Sequence, residues 1–299
     1  MILLGVVNLL IVLLLSPLYE GVLRKVKAIV HSRTGPPVYQ PYLDILKLLG
    51  KEDLRVADNL LIGLSPVIAF ASIMMVGLMT PLGTLYPPLN NSSDIIVLIY
   101  FVSLFAFAIM LGAAATTSVY AFVGLNREMM LYLVLEIVMI ISILTGVVRS
   151  GSFQISGIVA WQLNNGPTFS MVIGAISFFL VMQAQLAKLP FDIAEAEQEI
   201  MGGPFIEASG PRLALFKWSF YAKQIIYSSL FLELFIPWPK THILPLDIII
   251  NLVKVLIVML FVGLIDVVNP RLKIDQALKY YTGVSIVALI GLAFAIIGA

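Results

Sequence analysis

The segment between residues 189 and 207 carries a dense group of acids: Asp192, Glu195, Glu197, Glu199 and Glu207. If the segment is helical, Asp192, Glu195 and Glu199 share one face at i, i+3 and i+7. Carboxylates held on one face repel one another, which raises some of their pKa values and lets them hold protons near neutral pH. A solvated acidic loop is the alternative, although the apolar flanks favour burial. A hard-metal site is a third interpretation, but the spacing fits no calcium loop.

A second group of charges lies inside long apolar stretches: Glu136, Lys223, Glu233, Lys254 and Asp266. Burying a charge in a bilayer is costly, so such residues mark ion or proton pathways unless they form structural ion pairs. We favour a pathway for Glu136, Lys223 and Lys254. Glu233 and Asp266 lie near the ends of their stretches, where a structural pair or a snorkelling side chain competes with that interpretation.

Several kinds of chemistry have no residues to support them. The chain has no cysteine, which excludes disulfides, thiolate-bound zinc and a cysteine-ligated iron–sulfur cluster within it. Its two histidines, His31 and His242, are far apart, so a haem held by both has little support. Walker A, Ser-x-x-Lys and HExxH motifs are missing as well, which leaves phosphoryl transfer and hydrolysis without a basis. We therefore expect no metal or cofactor in this chain.

The elements that position these charges are membrane-spanning helices. Hydrophobic residues make up 60% of the 299 residues and charged residues only 12%, with a mean hydropathy of +1.03. Apolar stretches of about 20 residues recur along the whole chain. They predict an all-α integral membrane protein, one polytopic domain over 1–299, with about eight transmembrane helices at 2–23, 60–82, 94–118, 129–149, 168–188, 213–236, 245–268 and 280–298.

The lysine and arginine distribution predicts the orientation. Of 18 such residues, 14 lie in the loops after the first, third, fifth and seventh spans, and only Arg149 and Lys240 lie in the opposite loops. This asymmetry places both termini outside and the long loops in the cytoplasm, with the protein in the cell membrane. The first span has its basic cluster after it, which favours a retained helix over a signal peptide. A net charge of +1 gives no support for nucleic-acid binding.

Two long inner loops, about 24–58 and 189–212, are expected to dock a partner. Pro36 and Pro37 exclude a helix in the first loop. After Pro41, leucines alternate with Asp44 and Lys47, which predicts a short amphipathic helix at the interface or beneath a partner. On the other side, the segment 149–167 is interpreted as an exterior loop.

Three segments together resemble the H subunit of respiratory complex I and its homologues in membrane-bound NiFe hydrogenases. They are residues 33–53 (RTGPPVYQPYLDILKLLGKED), 126–128 (NRE) leading to Glu136, and 189–199 (LPFDIAEAEQE). The resemblance covers essentially the whole chain. It implies a subunit that docks the hydrophilic redox module and whose acids link redox chemistry to ion pumping. By matching motif these acids are Glu136, Asp192, Glu195, Glu197, Glu199 and Glu207, while Arg33 and Arg127 match basic positions of the inner loops.

Two departures favour the hydrogenase branch of that family. The stretch between Gly35-Pro36 and Gln40-Pro41 is shorter than in complex I, and Ala208 stands where a tyrosine is usual. That branch implies ferredoxin as electron donor and no quinone, and it includes related sulfur-reducing complexes. The implied partners are hydrophilic NiFe-hydrogenase-like and iron–sulfur subunits, which would hold the NiFe site and iron–sulfur clusters, and antiporter-like membrane subunits.

The function expected from the sequence is therefore that of a non-catalytic membrane subunit of a ferredoxin-linked, complex I-like hydrogenase or sulfur-reducing complex. It would anchor the redox module and couple electron transfer to proton or sodium translocation. The alternatives are the quinone-site membrane subunit of a respiratory complex I, a stand-alone secondary transporter, and a pure scaffold. The last differs only in whether the buried acids titrate.

Overall fold

The computed structural model describes residues 2–54, 59–84, 86–241 and 243–298, and the described chain is built almost entirely of α-helices. In chain order these are α1 (Ile2–Val30), α2 (Gln40–Leu49), α3 (Leu60–Met79), α4 (Ile95–Ala114), α5 (Val119–Ser150), α6 (Ile155–Asn165), α7 (Phe169–Gln185), α8 (Glu197–Ile200), α9 (Gly210–Phe235), α10 (Leu244–Val268) and α11 (Ile274–Ile297). Arg55 and His242 lie outside the described residues.

Eight of these helices correspond one to one with the predicted spans, so the all-α membrane fold is confirmed. Six of them, α1, α3, α4, α5, α10 and α11, are long and apolar enough to cross a bilayer. The other two depart from a plain apolar span in different ways. Helix α7 is apolar but has only 17 residues, and α9 carries Arg212, Lys217, Lys223 and Glu233. The predicted sidedness of the termini and loops stays a prediction.

Two predicted helix boundaries are wrong, because a helix continues past the apolar stretch that predicts it. Helix α1 runs on to Val30 and includes Arg24 and Lys27, which were expected in the loop. Helix α5 begins at Val119 rather than 129, so Arg127 lies on a helix and not in an inner loop. Backbone hydrogen bonds stay satisfied beyond the bilayer edge, so polarity alone does not end a helix. Glu136 consequently lies near the middle of a 32-residue helix.

The predicted exterior loop at 149–167 is largely a helix. Helix α6 spans 11 residues there and follows a left-handed Gly151. Its apolar residues Ile155, Ile158 and Val159 are fully buried. Tertiary burial of this one short face decides the conformation of a segment whose composition resembles a loop.

The two long segments that were predicted as inner loops pack against each other. The amphipathic helix after Pro41 is confirmed as α2, which buries Pro41 and Ile45 against the bundle. Farther along, the Arg212 guanidinium contacts the Asp53 carboxylate and donates to the carbonyl of Leu54 over 2.7 Å. Gly210 has φ +50°, and a Cβ there would lie 2.6 Å from the carbonyl oxygen of Glu52, so only glycine fits.

Helix α9 is the centre of the bundle. From Tyr221 to Phe235 every residue of α9 is buried, and the helix packs against α1, α2, α3, α6, α7 and α10. Several of these buried residues are polar, among them Lys223, Gln224, Ser228, Ser229 and Glu233. A helix surrounded by others in this way is the element on which interior polar sites are built.

Candidate functional site

The acidic segment is an irregular turn and not the continuous helix that would align its acids. Its only α-helical residues are Glu197–Ile200, followed by a 3-10 turn at Gly203–Phe205, so Asp192, Glu195 and Glu199 do not share a helix face. The Phe191 ring packs against Tyr281, with ring centroids 4.7 Å apart, and the Leu272 amide donates to the Pro190 carbonyl over 2.9 Å. These contacts with Leu272 and with Tyr281 of α11 fix the position of the turn.

Asp192 pairs with a residue from the other end of the chain. The Arg271 guanidinium donates to one Asp192 carboxylate oxygen over 2.7 Å. The other carboxylate oxygen is buried without a hydrogen-bond partner among the described residues. Burial raises the pKa of Asp192, and Arg271 offsets only part of that rise.

Glu195 lies deeper in the turn and has a strongly shifted pKa. Burial raises the pKa of Glu195 to about 8, and the nearby charges of Asp192 and Glu128 add to the rise. Lys188 and Lys223 oppose it with smaller effects. A carboxyl with this pKa is mostly protonated at neutral pH and can exchange its proton under mild changes of local charge.

Glu20 of α1 is the centre of an ion-pair network that was not expected from the sequence. One carboxylate oxygen accepts from Lys188 over 3.1 Å and from the Gln224 side-chain amide over 2.9 Å. The other accepts from Arg24 over 3.3 Å. Burial alone would lower the pKa of Lys188, but the carboxylates of Glu20 and Asp266 outweigh it and raise that pKa. Lys188 is therefore a stable ammonium between two acids.

Asp266 closes the same network from the end of α10. Its carboxylate accepts from Lys27 over 3.0 Å and from the backbone amide of Leu189 over 2.9 Å. Glu20, Lys188, Asp266, Asp192 and Glu195 line a cavity of about 410 Å³, which we call the loop-side cavity. Asp266 thus pairs with a lysine, and its predicted part in an ion path stays a prediction.

A row of polar groups leads from this region into the bundle along α5. Glu128, Tyr132 and Glu136 follow at i, i+4 and i+8, so they share one face of the helix. Glu128, Tyr132 and Glu195 line a narrow cavity of about 20 Å³, which is enough for one water molecule. At the end of the row farthest from the acidic turn, the Ser103 hydroxyl of α4 donates to the Glu136 carboxylate.

Lys223 lines the same narrow cavity from α9. Its ammonium lies 3.3 Å from the side-chain oxygen of Gln185 and 4.7 Å from the centre of the Phe105 ring. Lys223 is only 5% exposed, and no carboxylate among the described residues lies within ion-pair distance of it. The structure thus brings Glu136, Glu195 and Lys223 into one region.

Glu233 and Lys254 lie elsewhere. The Glu233 carboxylate accepts from Lys240 over 2.8 Å and from the backbone amide of Gly83 over 3.1 Å. The Lys254 ammonium donates to the carbonyl of Ile236 over 2.6 Å. These residues form a separate group around the C-terminal end of α9, which we call the Glu233 network.

The predicted docking residues are mostly on the surface. Arg33 and Lys47 are exposed, whereas Asp44 accepts from Arg24 over 2.9 Å and so holds α2 against α1. Arg127 donates to the exposed Glu199 over 2.7 Å. Of the two remaining acids, Glu197 is exposed beside the loop-side cavity, and Glu207 is half-buried with one oxygen that has no partner among the described residues.

Glu20, Lys188, Gln224 and Arg271 are site residues that were not singled out from the sequence. The sequence did indicate Glu20 as a candidate, because it is the one acid in the first apolar stretch and lies one turn before Arg24. Nothing in the sequence distinguished Gln224, since buried amides are common in membrane helices. In the described part of the chain, no cluster of three or more acids and histidines has the arrangement of a metal site.

Comparison with known proteins gives consistent results. A family model described as NADH dehydrogenase matches residues 3–297. Hydrogenase-4 component C of Escherichia coli (strain K12) is 34% identical over 265 residues, covering 86% of this chain and 84% of the relative. The H subunit of the NADH-quinone oxidoreductase of Anoxybacillus flavithermus is 32% identical over 274 residues, covering 86% and 81%.

A solved structure extends the likeness to three dimensions. The protein is similar to a chain of the membrane-bound sulfane sulfur reductase, described as an archaeal respiratory membrane complex. The TM-score is 0.90 at 27% identity, and the match covers 98% of this chain and 99% of the other.

Proposed function

The chain belongs to the NADH dehydrogenase family, and on that basis we propose that it is a membrane subunit of a complex I-like hydrogenase or sulfur-reducing complex. Its relatives include a hydrogenase component and a chain of a sulfane sulfur reductase complex. In this role the subunit works in the cell membrane with other chains and contributes proton-carrying groups rather than a redox centre. That its relatives belong to larger complexes favours this proposal over a stand-alone transporter.

The surface around the inner loops is the proposed docking site for a hydrophilic redox module. Leu43 and Leu46 of α2 are 48% and 64% exposed, although their helix packs on the bundle through its other face. Lys47 of the same helix is exposed, as are Arg33 and Glu197 of the two long loops. An apolar centre with a charged rim is the usual composition of a protein interface. The NiFe site and the iron–sulfur clusters would then belong to partner subunits, and antiporter-like membrane subunits would complete the complex.

The proposed coupling runs from the acidic turn to the middle of α5. The observation that carries this proposal is that Glu195, Glu128 and Tyr132 line one cavity of about 20 Å³, and that Glu136 follows Glu128 and Tyr132 on the same face of α5. A charge change in the redox module alters the proton occupancy of Glu195, whose pKa of about 8 makes it responsive near neutral pH. The change then passes to Glu136 through the intervening polar groups. The coupled ion is a proton or a sodium ion.

The experiment that tests this coupling is Glu136→Gln in the intact complex. We expect the complex to assemble and to transfer electrons with fewer ions moved per electron, because the amide cannot carry the proton. Asp275→Asn is the matched control, since it also removes one carboxylate, from an exposed position on α11. Ion pumping that is unchanged by Glu136→Gln would refute the proposed route.

Quinone reduction is the second candidate, and one cavity favours it. A space of about 470 Å³ is lined by Phe205, Phe216, Phe220 and Met201, with Glu195 and Lys217 beside them. An aromatic pocket with a few polar groups suits a flat, apolar ligand, and the Anoxybacillus relative is named as part of a quinone oxidoreductase. Two measurements on the purified native complex separate the candidates: metal analysis and an activity assay with a quinone-site inhibitor. Nickel together with iron–sulfur subunits supports a hydrogenase, whereas inhibition by a quinone-site compound supports the second candidate.

A further inference from the structure

An apolar cavity of about 470 Å³ lies between α6, α7 and the C-terminal end of α9, and we call it the α7 cavity. Its walls are formed mainly by aliphatic and aromatic side chains, among them Met171, Ala175, Leu180, Phe231 and Phe235. None of the described residues that line the loop-side cavity or the narrow cavity beside α5 also lines this one. The α7 cavity is therefore separate from the site described above.

The open side of the α7 cavity faces away from the bundle. Val172 and Ile176 of α7 are 46% and 53% exposed, whereas Met171 and Phe235 on the inner wall are buried. Since α7 is an apolar helix of a membrane bundle, this open side meets lipid and not water. Water also gains little from entering a space with apolar walls. The occupant that fits such walls is hydrocarbon.

The length and volume of the α7 cavity favour a single lipid chain over a helix of a partner. Along α7 the cavity extends from Met171 to Leu180, which is about 14 Å at the rise of an α-helix. One leaflet of a bilayer has a hydrocarbon layer of about 15 Å, half of the usual core. A helix about 10 Å across would occupy about 1,100 Å³ over the same length, well above the volume of the cavity. A partner helix could cover the cavity but could not enter it.

One end of the α7 cavity is polar. The side-chain amide of the fully buried Gln162 donates to the carbonyl of Phe235 over 3.2 Å, and its amide oxygen is buried without a partner among the described residues. Trp238 lines the cavity as well, and tryptophan is enriched where a membrane protein meets the headgroups. Ile236 is also part of the wall, and its carbonyl accepts from the Lys254 ammonium over 2.6 Å.

Lys254 has no counter-ion among the described residues. No carboxylate lies within ion-pair distance of its ammonium, whereas the nearby Lys240 is paired with Glu233 over 2.8 Å. A half-buried lysine on a membrane helix is costly unless an anion compensates its charge. An apolar cavity with an uncompensated ammonium beside its polar end matches a molecule that joins a hydrocarbon chain to an anion.

We propose that the α7 cavity binds one chain of an anionic membrane phospholipid, whose phosphate pairs with Lys254. A hydroxyl of the headgroup, as in phosphatidylglycerol, donates to the open oxygen of Gln162. The lipid fills the space between α9 and α7, which at 17 residues is the shortest of the eight long helices. This site needs only the membrane fold and does not depend on the proposed redox function.

The first test locates the lipid chain. The protein is purified with its partners, supplied with phosphatidylglycerol that carries a photoreactive diazirine on one acyl chain, and illuminated, and mass spectrometry maps the labelled residues. We expect label on α7 and on the last turn of α9. Ala175→Phe fills the cavity and should reduce that label several-fold, whereas the control Ala293→Phe, at an exposed position on α11, should not. Unchanged labelling of α7 in Ala175→Phe would overturn the proposal.

The second test examines the headgroup. Unlabelled phosphatidylglycerol should compete with the photoreactive lipid several-fold better than phosphatidylcholine with the same chains, because only the first carries a net negative charge. Lys254→Met removes the ammonium and should abolish this preference. Lys279→Met is the matched control, since it removes an exposed lysine of α11 and should leave the preference unchanged. Equal competition by the two lipids in the wild type would overturn the assignment of an anionic lipid.

A third measurement separates a lipid from a partner helix that covers the cavity. The chain contains no cysteine, so Ile176→Cys introduces a unique thiol at the open side. Reaction of this thiol with a lipid-soluble maleimide in the intact complex supports the lipid. A protected thiol together with no lipid label on α7 would overturn the proposal in favour of a covering helix. If Ala175→Phe does not assemble, the competition experiment on the wild type still decides. Neither readout needs electron transfer, so the result is independent of the proposed coupling.

Discussion

Two groups of ion pairs along α9 consist of the same residue types but differ in how enclosed they are. In the loop-side cavity, Glu20 is shared among Lys188, Arg24 and Gln224, around a space of about 410 Å³. In the Glu233 network, one carboxylate is held by one lysine and one backbone amide, and the two charged side chains are only 3% and 5% exposed. The first group borders an open space in which it can rearrange, whereas the Glu233–Lys240 pair is enclosed. We infer that the first can respond to a change of charge at Glu195, which lines the same cavity, and that the second stays fixed.

The greatest loss of stability is expected in the Glu233 network. Glu233→Gln leaves the Lys240 ammonium buried without its counter-ion, which should destabilise the subunit by about 3–5 kcal/mol. Thermal unfolding of the purified complex, followed through release of this subunit, measures the loss. The double variant Glu233→Leu with Lys240→Met is the control, because removing both charges should restore most of the stability. A single variant as stable as the wild type would contradict the view that this pair is fixed.

A smaller loss of stability is expected in the loop-side cavity. Lys188→Met removes one charged hydrogen bond from Glu20, which keeps those of Gln224 and Arg24. The expected destabilisation is about 1.5–3 kcal/mol, the range for a hydrogen bond to a charged group. The same unfolding measurement applies, and ion pumping should change more than stability does. If Lys188→Met cost more stability than Glu233→Gln, the contrast between the two groups would be reversed.

The pH dependence of Glu195 tests whether the loop-side cavity changes charge near neutral pH. Its pKa of about 8 lies above the ordinary value of 4.5 because burial disfavours the charged form. The folded protein therefore binds this proton more tightly than the unfolded chain does, and the group lowers stability progressively as pH rises from 4.5 to about 8. Ions moved per electron should change through pH 8 in the wild type and stay flat in Glu195→Gln. A wild-type inflection that persists in the variant would assign it to another group.

The weakest effect is expected at the surface pair of Arg127 and Glu199. The Arg127 hydrogen bond lowers the pKa of Glu199, but the carboxylate is largely in solvent. Glu199→Gln should change stability by less than about 1 kcal/mol, and added salt should reduce even that difference. A calorimetric comparison at low and high salt measures it. A large and salt-independent loss would show that the pair is buried in the assembled complex.

Much of the fold was predictable from the sequence, and the errors have a common cause. The eight long helices were predicted correctly because each apolar stretch is hydrophobic enough by itself to favour the bilayer. The start of α5 and the end of α1 were wrong because helices extend past the bilayer edge, and α6 was missed because its burial depends on neighbours. At the site, Glu136 and Lys223 were named from charge in apolar surroundings, and Glu195 from the dense group of acids in its segment. Glu20 was not, because its partners Lys188 and Gln224 are remote in the sequence.

Local segments of the sequence are enough to establish an all-α membrane protein without cysteine, whose acidic motif belongs to a known family. Each of those properties is carried by one stretch of residues and needs no knowledge of the others. The packing of the helices, in contrast, decides that Glu20 meets Lys188, 168 residues away, that Asp266 faces Lys27, and that Glu233 is paired with Lys240. Whether a buried charge is free to titrate depends on which helix packs beside it, because the electrostatic energy of a pair is set by distance and burial and not by position along the chain.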